Sequence, residues 1–493
     1  MDRKKILFAT LTVSAVCGVE AQQKSEHPNI LFILTDDLGA CDLGCFGSTF
    51  YETPNLDALA RDGMCFTNGY ASCNVSSPTR ASLMTGKYPA RLKITDWIPG
   101  RQAKPGANDP YSLIPPEFTL NLPLEEETLG EAFRENGYQT MFVGKWHLGE
   151  DVSHYPQNQG FDINIAGCNH GQPPQGYFTP YGLYNLPDGP EGEYLTDRLG
   201  DECVKLIENR DKHKPFLLYY AMYQVHTPLQ AKPEKIAYFQ EKAARMGLTE
   251  ENSTTIDREW IREIPIRGRF RERIRQGHPV YAAMVSHMDD NIGKVIRKLK
   301  EEGLYDNTII VFTSDNGGLA TAEGSPTCNA PYRTGKGWGY EGGVREPLIV
   351  HWSGHVKCGA HNESIVTSCD FYPTLLELAG LPLKPEQHLD GESFARSLLT
   401  GETKDRGPIY WHYPHYSNQG GRPHGAVRSG RYKLIEFYED MHVELFDLEK
   451  DPSETTDISA SHKAETQRLT RLLHEWRQEV GAAMPLPKSN AVE

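Results

Sequence analysis

Four apolar segments of strand length, each followed directly by polar side chains, constrain the fold of this chain most strongly. They read NILFILTDD from residue 29, QTMFVGKWH from residue 139, PFLLYYAMYQVH from residue 215 and TIIVFTSDN from residue 308. Helical patterns separate them along the chain, and this alternation is typical of α/β proteins with a largely parallel sheet. The sequence therefore predicts an α/β fold.

The polar residues at the ends of these segments predict a functional site. In open α/β sheets, ligands bind outside the carboxyl ends of the strands, so these side chains are expected at one edge. They are Asp36, Asp37, Lys145, His147, His226, Asp315 and Asn316. Each alone has an alternative interpretation as an ordinary turn residue after a strand. Together, the three carboxylates and the amide form an oxygen-only ligand set that favours Ca²⁺ or Mg²⁺ over zinc.

A second Asp-Asp pair, Asp289 and Asp290, lies in a different context. It falls inside a helical pattern of apolar residues that runs from Tyr281 to Leu299. This pattern predicts that the two carboxylates lie on the solvated face of a helix or cap a neighbouring loop.

The segment SSPTRASLMTG, from residue 76 to residue 86, has the features of a short helix. Ser76 or Ser77 is a candidate N-cap, the proline suits the first turn, and Gly86 suits the end. Further along, Lys336 lies in GKGWGYEGG, where glycines let the backbone approach a ligand closely. A solvated loop lysine is the alternative interpretation of Lys336.

The amino terminus predicts export. A basic head, an apolar run and small residues before Ala21 are typical of a secretory signal peptide over residues 1–21. Cys17 raises the alternative of a lipoprotein, but a protein that is periplasmic or extracellular after cleavage is the expectation. No later segment is apolar over the ~18 residues that a membrane span requires. The net charge of -15 argues against nucleic acid as a partner.

Several of these motifs together resemble the type I sulfatases. Ser76-Ser77-Pro78-Thr79-Arg80 resembles the signature in which a Cys or Ser becomes formylglycine, and TDD, GKWHLG, QVHTP, TSDNGG and GKGWGYEGGVREP follow in family order. The resemblance runs from about residue 28 to residue 380 and implies that Ser76 is oxidised to an aldehyde. A serine at this position implies an anaerobic, radical-type maturase as a partner.

The resemblance also implies roles for individual residues. Asp36, Asp37, Asp315, Asn316 and the modified Ser76 match the ligands of a Ca²⁺ ion, with Mg²⁺ as the alternative. Arg80 and Lys145 match residues that hold the aldehyde hydrate and sulfate. His226 and Lys336 match the pair that protonates the leaving oxygen, and His147 matches the base that deprotonates the second hydroxyl and so expels sulfate.

The pattern changes near residue 390 to short strands, followed by a helix with an apolar face. We therefore predict a catalytic α/β domain over 26–385, with helices on both faces of its sheet, and a smaller subdomain of antiparallel sheet plus helix over 390–485. Candidate contacts to a sulfated sugar lie in a glycine-rich segment read as a flexible loop, and in one earlier loop. They are His412, His415, Arg422, His424 and His170.

The expected activity is hydrolysis of carbohydrate O-sulfate esters. Exo action on sulfated galactose or N-acetylgalactosamine of host or algal glycans is the preferred substrate hypothesis. Two alternatives stay open at this point: a phosphatase or phosphonate monoester hydrolase of the same superfamily, and a non-catalytic protein that binds sulfated glycans.

Overall fold

The large sheet contains eight strands in the computed structural model, which describes residues 27–100, 111–258, 263–264 and 268–488. The predicted signal peptide lies outside these residues. The strands are β1 Asn29–Thr35, β2 Met64–Tyr70, β3 Gln139–Gly144, β4 Ile163–Ile165, β5 Phe216–Ala221, β6 Thr308–Ser314, β7 Arg345–His351 and β8 Ala360–Thr367.

The strand order is β8-β2-β7-β6-β1-β5-β3-β4, and only β7 runs antiparallel to its neighbours in this sheet. Every residue of the central strands β1 and β6 is buried. Because successive side chains of a strand point to opposite faces, such strands need cover on both faces. The predicted mostly parallel α/β sheet is confirmed.

Helices supply this cover in two packed groups. One group joins the long helix Pro279–Glu301 to the helices Pro54–Asp62, Leu195–Glu208 and Pro233–Arg245. The other joins the helix Ser76–Thr85 to the helices Leu129–Glu135 and Phe371–Leu378. The helices are α1 Pro54–Asp62, α2 Ser76–Thr85, α3 Pro89–Leu92, α4 Leu129–Glu135, α5 Leu195–Glu208, α6 Pro233–Arg245, α7 Glu250–Ser253, α8 Pro279–Glu301, α9 Glu341–Val344, α10 Phe371–Leu378, α11 Ala395–Thr400 and α12 Lys463–Glu479.

The second Asp-Asp pair lies on α8, as predicted, but its two carboxylates differ. Asp290 pairs with Lys235 at the surface. Asp289 is buried and accepts hydrogen bonds from the backbone N–H groups of Asn55 and Leu56 at 3.0 and 2.8 Å. Asp289 therefore caps the first turn of α1, because the first N–H groups of a helix have no carbonyl partners within the helix itself.

A second, antiparallel sheet of four strands follows in the order β9-β10-β11-β12. Its strands are β9 Ile409–Tyr413, β10 His424–Ser429, β11 Tyr432–Phe437 and β12 Val443–Asp447. Leu469, Leu473 and Trp476 of α12 pack on one face of this sheet. The other face packs against Tyr70, Trp338 and Tyr340, which belong to the large sheet and its loops. The small sheet is thus docked firmly beside the segment that carries Lys336.

Three short two-stranded ribbons complete the strands of the described residues, and the first of them joins segments that are distant in the chain. They pair Leu113–Ile114 with Leu486–Pro487, Thr254–Thr255 with Glu272–Arg273, and Glu263–Ile264 with Gly268–Arg269. Within the described part of the chain, no helix has both the length and the apolar character that crossing a bilayer requires.

Candidate active site

Two neighbouring strands bring their terminal acidic residues together. Thr35 at the end of β1 lies in register with Ser314 at the end of β6, so the residues that follow both strands emerge side by side. Asn316 Nδ2 donates to Asp37 Oδ1 at 2.8 Å, and the Asp37 N–H donates to Asp315 Oδ1 at 3.2 Å. Asp37 has a φ of 61°, which takes the chain out of strand geometry. All of these side chains are buried.

Ser76 lies at the centre of this cluster. It is the first residue of α2, and its Oγ donates to Asp36 Oδ1 at 3.2 Å or to Asn316 Oδ1 at 3.3 Å. Lys145 Nζ donates to the same Oγ at 3.2 Å. The serine is thus surrounded by groups from three strand ends.

The predicted capping role of the two serines is wrong. Val75 occupies the N-cap of α2, and no side chain caps this end. Ser77 Oγ instead donates to the carbonyl of His147 at 2.9 Å and accepts from the Ile98 N–H at 3.0 Å. The end of the helix is as predicted, because Gly86 adopts a φ of 69° at the C-cap.

Each of the three carboxylates has a cationic partner. Lys145 Nζ lies 2.7 Å from Asp36, and Lys336 Nζ lies 2.8 Å from Asp37. Arg80 donates to Asp315 through Nε at 2.9 Å and contacts it through Nη2 at 2.8 Å. These pairs are buried, so the charges interact far more strongly than they do in water.

The three cations do not fully compensate the three carboxylates. Burial raises the pKa of Asp36 to about 8, although Lys145 opposes the effect, and the charges of Asp315 and Asp37 raise it further. Burial also raises the pKa of Asp37 and of Asp315, but the surrounding cations, led by Lys336 at Asp37 and by Arg80 at Asp315, together outweigh it and hold these two values below their usual range. A further cation bound beside these three carboxylates would therefore stabilise the ionised form of Asp36.

The donor set fits a divalent cation. Ligand atoms of Asp36, Asp37 and His226 lie within 4.8 Å of one another, and the side chains of Asp315 and Asn316 adjoin them. Oxygen donors predominate in this set, which suits Ca²⁺ or Mg²⁺. His226 adds a nitrogen that the sequence analysis did not include among the metal ligands.

His226 is held as a neutral imidazole beside Lys336. Its Nδ1 bonds to the carbonyl of Thr227 at 2.9 Å, so Nδ1 carries the hydrogen and Nε2 accepts from Lys336 Nζ at 3.1 Å. Burial and the charge of Lys336 lower the pKa of His226 to about 3. Burial by itself lowers the pKa of Lys336, but the carboxylates of Asp37, Glu323 and Asp36 together outweigh this effect and keep the lysine protonated.

His147 is also neutral but is oriented differently. Its Nε2 donates to the carbonyl of Ile98, which leaves a lone pair on Nδ1. This Nδ1 is buried and makes no hydrogen bond to any described residue. Burial and the nearby Lys145 hold the pKa of His147 well below its usual range. The imidazole can therefore accept a proton at Nδ1.

A cavity of about 630 Å³ opens above Ser76. Ser76, His147, His226 and Lys336 contribute to its wall, and so does His170, one of the predicted sugar contacts. The rim also includes Trp97, Glu150, Asn169, Gln172, Glu323, Asn418 and Gln419. None of these rim residues was predicted as a site residue, because they come from loops without a recognisable motif.

The predicted sugar contacts of the C-terminal segment lie elsewhere. His412 and His424 belong to strands β9 and β10, so their assignment to a flexible loop is wrong. His412 bonds to Tyr438 and to the carbonyl of Ala483, and His415 bonds to Thr95. These three histidines are buried, and none of them lines the cavity above Ser76. Asn418 and Gln419, which belong to the same segment, line the cavity instead.

Arg422 is also placed away from the cavity wall. It pairs with Glu439 at 3.3 Å, and its guanidinium lies over the ring of Phe437 at 4.3 Å from the centroid. The clustering of basic and aromatic residues in this segment thus reflects packing of the second sheet.

Comparisons with known proteins agree with this geometry. A family model described as Sulfatase matches residues 28–381, and one described as N-sulphoglucosamine sulphohydrolase, C-terminal, matches residues 334–480. The N-acetylgalactosamine-6-sulfatase of Homo sapiens is 31% identical over 417 residues, which cover 80% of this chain and 70% of the human protein.

Solved structures of similar proteins include two complexes with named ligands. The crystal structure of Ps i-CgsB in complex with k-i-k-neocarrahexaose is 32% identical with a TM-score of 0.72, covering 92% of this chain and 93% of that one. A structure described as in complex with its substrate D-glucosamine-2-N, 6-O-disulfate is 25% identical with a TM-score of 0.70, covering 94% of this chain and 100% of that one.

Proposed function

This chain belongs to the sulfatase family, whose members are sulfuric ester hydrolases that act on carbohydrates, and we propose that it removes O-sulfate through a formylglycine made from Ser76. The proposed substrates are sulfated galactose or N-acetylgalactosamine at the end of a glycan chain. The proposal includes an exported protein, a resident Ca²⁺ and an anaerobic radical-type maturase that oxidises Ser76 before the protein acts.

The single observation that carries the proposal is the position of Ser76. Its Oγ lies within 3.3 Å of Asp36, Lys145 and Asn316, and it faces a cavity large enough for a sugar. A structural serine at the start of a helix has no need of this environment. A phosphatase or a binding protein is less well supported, since the matching family model and the named relatives are sulfatases.

The proposed chemistry also requires the modified form of Ser76 and a divalent ion. Oxidation of Ser76 to an aldehyde, followed by addition of water, would supply two hydroxyls on one carbon: one to attack sulfur, and a second that loses its proton and re-forms the aldehyde as the bond between the carbon and the sulfated oxygen breaks. A Ca²⁺ ion held by Asp36, Asp37, Asp315, Asn316 and the modified residue supplies polarisation of oxygen atoms and charge compensation.

The side chains around Ser76 have distinct proposed tasks. Arg80 favours the ionised form of Asp315, Lys145 opposes the effect of burial on Asp36, and both cations attract the sulfate. Lys336, which is protonated and bonded to His226, donates a proton to the leaving sugar oxygen. His147 accepts a proton at Nδ1, the nitrogen left free by its bond to Ile98.

The substrate hypothesis is supported by two similar proteins. One is an N-acetylgalactosamine-6-sulfatase, and the other is bound to a neocarrahexaose. A competing hypothesis, a glucosamine substrate, has support from the structure described with glucosamine disulfate as its substrate. Turnover of sulfated N-acetylgalactosamine, galactose and glucosamine, compared at each sulfated hydroxyl, decides between them. Product analysis on a sulfated oligosaccharide distinguishes terminal from internal release.

Mass spectrometry of the tryptic peptide Asp62 to Arg80 tests the mechanism directly. Protein from the native host should show loss of two hydrogen atoms at Ser76. An active protein with an unmodified serine contradicts the formylglycine proposal.

Substitution of Ser76 provides an independent test. Ser76→Ala should abolish turnover while the affinity for a sulfated sugar, measured by calorimetry, stays within about threefold of that of the parent protein. Ser82→Ala is a matched control, since this serine is buried on the same helix and lies outside the cavity wall. It should retain turnover. Appreciable turnover by Ser76→Ala would exclude the proposed nucleophile.

A further inference from the structure

A second cavity of about 410 Å³ adjoins the cavity above Ser76. Glu323 lines both cavities, so a ligand that extends past this residue passes from one cavity into the other. Phe270 and Arg271 form part of the second wall. We propose that this second cavity is a subsite for the sugar next to the sulfated one, and that Arg271 binds an oxyanion on that neighbouring sugar. The inference rests on the proposed function.

The wall between the two cavities is held in place by hydrogen bonds. Gln419 Nε2 donates to Glu323 Oε1 at 2.9 Å, and Ser417 Oγ donates to Gln419 Oε1 at 2.7 Å. Gln419 and Ser417 are themselves buried. The position of Glu323 at the shared boundary is therefore determined before a ligand arrives, which reduces the entropic cost of binding.

The far side of the second cavity is also fixed. Ser325 Oγ donates to the carbonyl of Arg271 at 2.7 Å, and the N–H of Arg273 donates to the carbonyl of Ala320 at 2.8 Å. These bonds tie the segment with Phe270 and Arg271 to the loop that carries Glu323. The two walls of the subsite thus form one connected unit.

Carboxylates line both cavities, since Glu323 belongs to both and Glu250, which pairs with Arg273, lines the second, but the cations that the two cavities present differ. Among the described residues that line the first cavity, Lys336 is the only lysine or arginine, and it is already bonded to Asp37. Glu150 and Glu323 add negative charge at the rim. A second anionic group on the sulfated sugar itself would approach these carboxylates, so a neutral sugar ring is favoured there.

The second cavity presents a cation that is available for a ligand. Arg273 pairs with Glu250 at 2.6 Å, whereas Arg271 takes part in none of the ion pairs formed among the described residues. Its Nη1 donates to Thr254 Oγ1 at 3.2 Å, and the residue is exposed. A guanidinium in this setting binds a carboxylate or a sulfate through paired hydrogen bonds. Both a uronate and a second sulfated sugar supply this chemistry.

Steady-state kinetics of Arg271→Ala test the subsite. The substrates are sulfated N-acetylgalactosamine alone and the same sugar linked to glucuronate, to a sulfated sugar or to a neutral sugar. We expect kcat/KM to fall roughly tenfold to a hundredfold on at least one acidic disaccharide, and by less than about twofold on the monosaccharide and the neutral disaccharide. Arg271→Lys should recover part of the loss. The acidic disaccharide that responds identifies whether a carboxylate or a sulfate is recognised.

Arg275→Ala is the matched control, because it removes an exposed arginine of the same segment that does not line either cavity. It should leave all four substrates unaffected. An equal loss on the monosaccharide, or no loss on either acidic disaccharide, overturns the subsite. Absence of turnover of every substrate by the parent protein with oxidised Ser76 contradicts the proposed function instead, and the subsite with it.

Discussion

At the scale of single residues, the site combines groups whose protonation is set by burial and by their neighbours. Lys336 remains protonated because Asp37 is ionised at 2.8 Å, while His226 stays neutral beside it. In the proposed mechanism the lysine, and not the histidine, is therefore the group that donates a proton to the leaving oxygen. His226 orients this lysine through a bond of 3.1 Å.

Substitution of Lys336 should affect poor leaving groups most. Lys336→Met is expected to lower kcat/KM on a sulfated sugar by roughly 10²- to 10⁴-fold, because an alkoxide requires protonation as it departs. The loss on 4-nitrophenyl sulfate should be much smaller, since a nitrophenolate leaves without a proton. Kinetics on both substrates measure the difference. An equal loss on both would argue that the lysine binds sulfate and does not act as an acid.

Asp96 should make the free energy of unfolding depend on pH. It is buried, and burial raises its pKa to about 7 although Trp97 and Tyr413 donate hydrogen bonds to it. The folded state therefore favours the protonated form, whereas in the unfolded chain the carboxyl ionises near its ordinary value. Its contribution to the free energy of unfolding is fully present below pH ~4 and is lost as the pH rises toward 7.

The comparison of wild-type protein with Asp96→Asn isolates this effect. Relative to the variant, the wild type should lose roughly 2–4 kcal/mol of unfolding free energy between pH 4.5 and pH 7.5. Urea denaturation at both pH values measures it. A difference between the two proteins that does not change with pH would mean that Asp96 is ionised in the folded protein throughout this range.

At the scale of elements, the second sheet and the segment that carries Lys336 form one packed unit. Lys433 on β11 is fully buried and contacts Glu341 of α9 at 2.9 Å and Glu454 at 3.1 Å. Glu454 also accepts a hydrogen bond from the Glu341 N–H at 2.6 Å. These bonds fix α9 and, through it, the loop from Lys336 to Tyr340.

Removal of the lysine from this cluster should destabilise the protein strongly. Lys433→Met leaves two buried carboxylates without their shared cation, and we expect a loss of about 3–5 kcal/mol in the free energy of unfolding. Arg431→Met is the control, since this arginine pairs with Asp447 but stays partly exposed to water, which screens the pair, and it should contribute ~1 kcal/mol or less. Urea unfolding of both variants makes the comparison. Similar losses would show that the buried cluster contributes no more than a surface pair.

At the scale of the whole molecule, a divalent cation is expected to link catalysis to stability. The acidic residues of the site come from the ends of β1 and β6, so an ion bound there joins two central strands. A ligand that binds only the folded state stabilises it by about 2.7 kcal/mol when its concentration is a hundredfold above Kd.

Removal of the ion should therefore lower both activity and Tm. Dialysis against EDTA is expected to abolish turnover and reduce Tm, and added Ca²⁺ should restore both. Asp36→Asn should lose the Ca²⁺-dependent change in Tm, which does not depend on activity. Asp290→Asn, in the surface pair with Lys235, should keep it. An Asp36→Asn protein that still responds to Ca²⁺ would exclude this residue as a ligand.

Much of the site was predictable from the sequence because its residues follow buried strands. In a parallel sheet, strands of matching register end at the same edge, so a local pattern such as NILFILTDD predicts a position in space. The helix that begins at Ser76 and the apolar face of α12 follow equally from local patterns. The capping role of the serines was predicted wrongly because their hydroxyls bond to residues distant in the chain.

The sequence by itself thus determined the α/β fold, the sulfatase family and the residues around Ser76. Only the tertiary structure decided which side chains form the cavity and the adjoining subsite. Gln419 and Glu323 meet although 96 residues separate them in the chain. His412 and His424 resemble sugar contacts in sequence, yet the packing of the second sheet buries them. Loop residues carry no periodic signal, and their positions depend on long-range contacts that a local pattern does not encode.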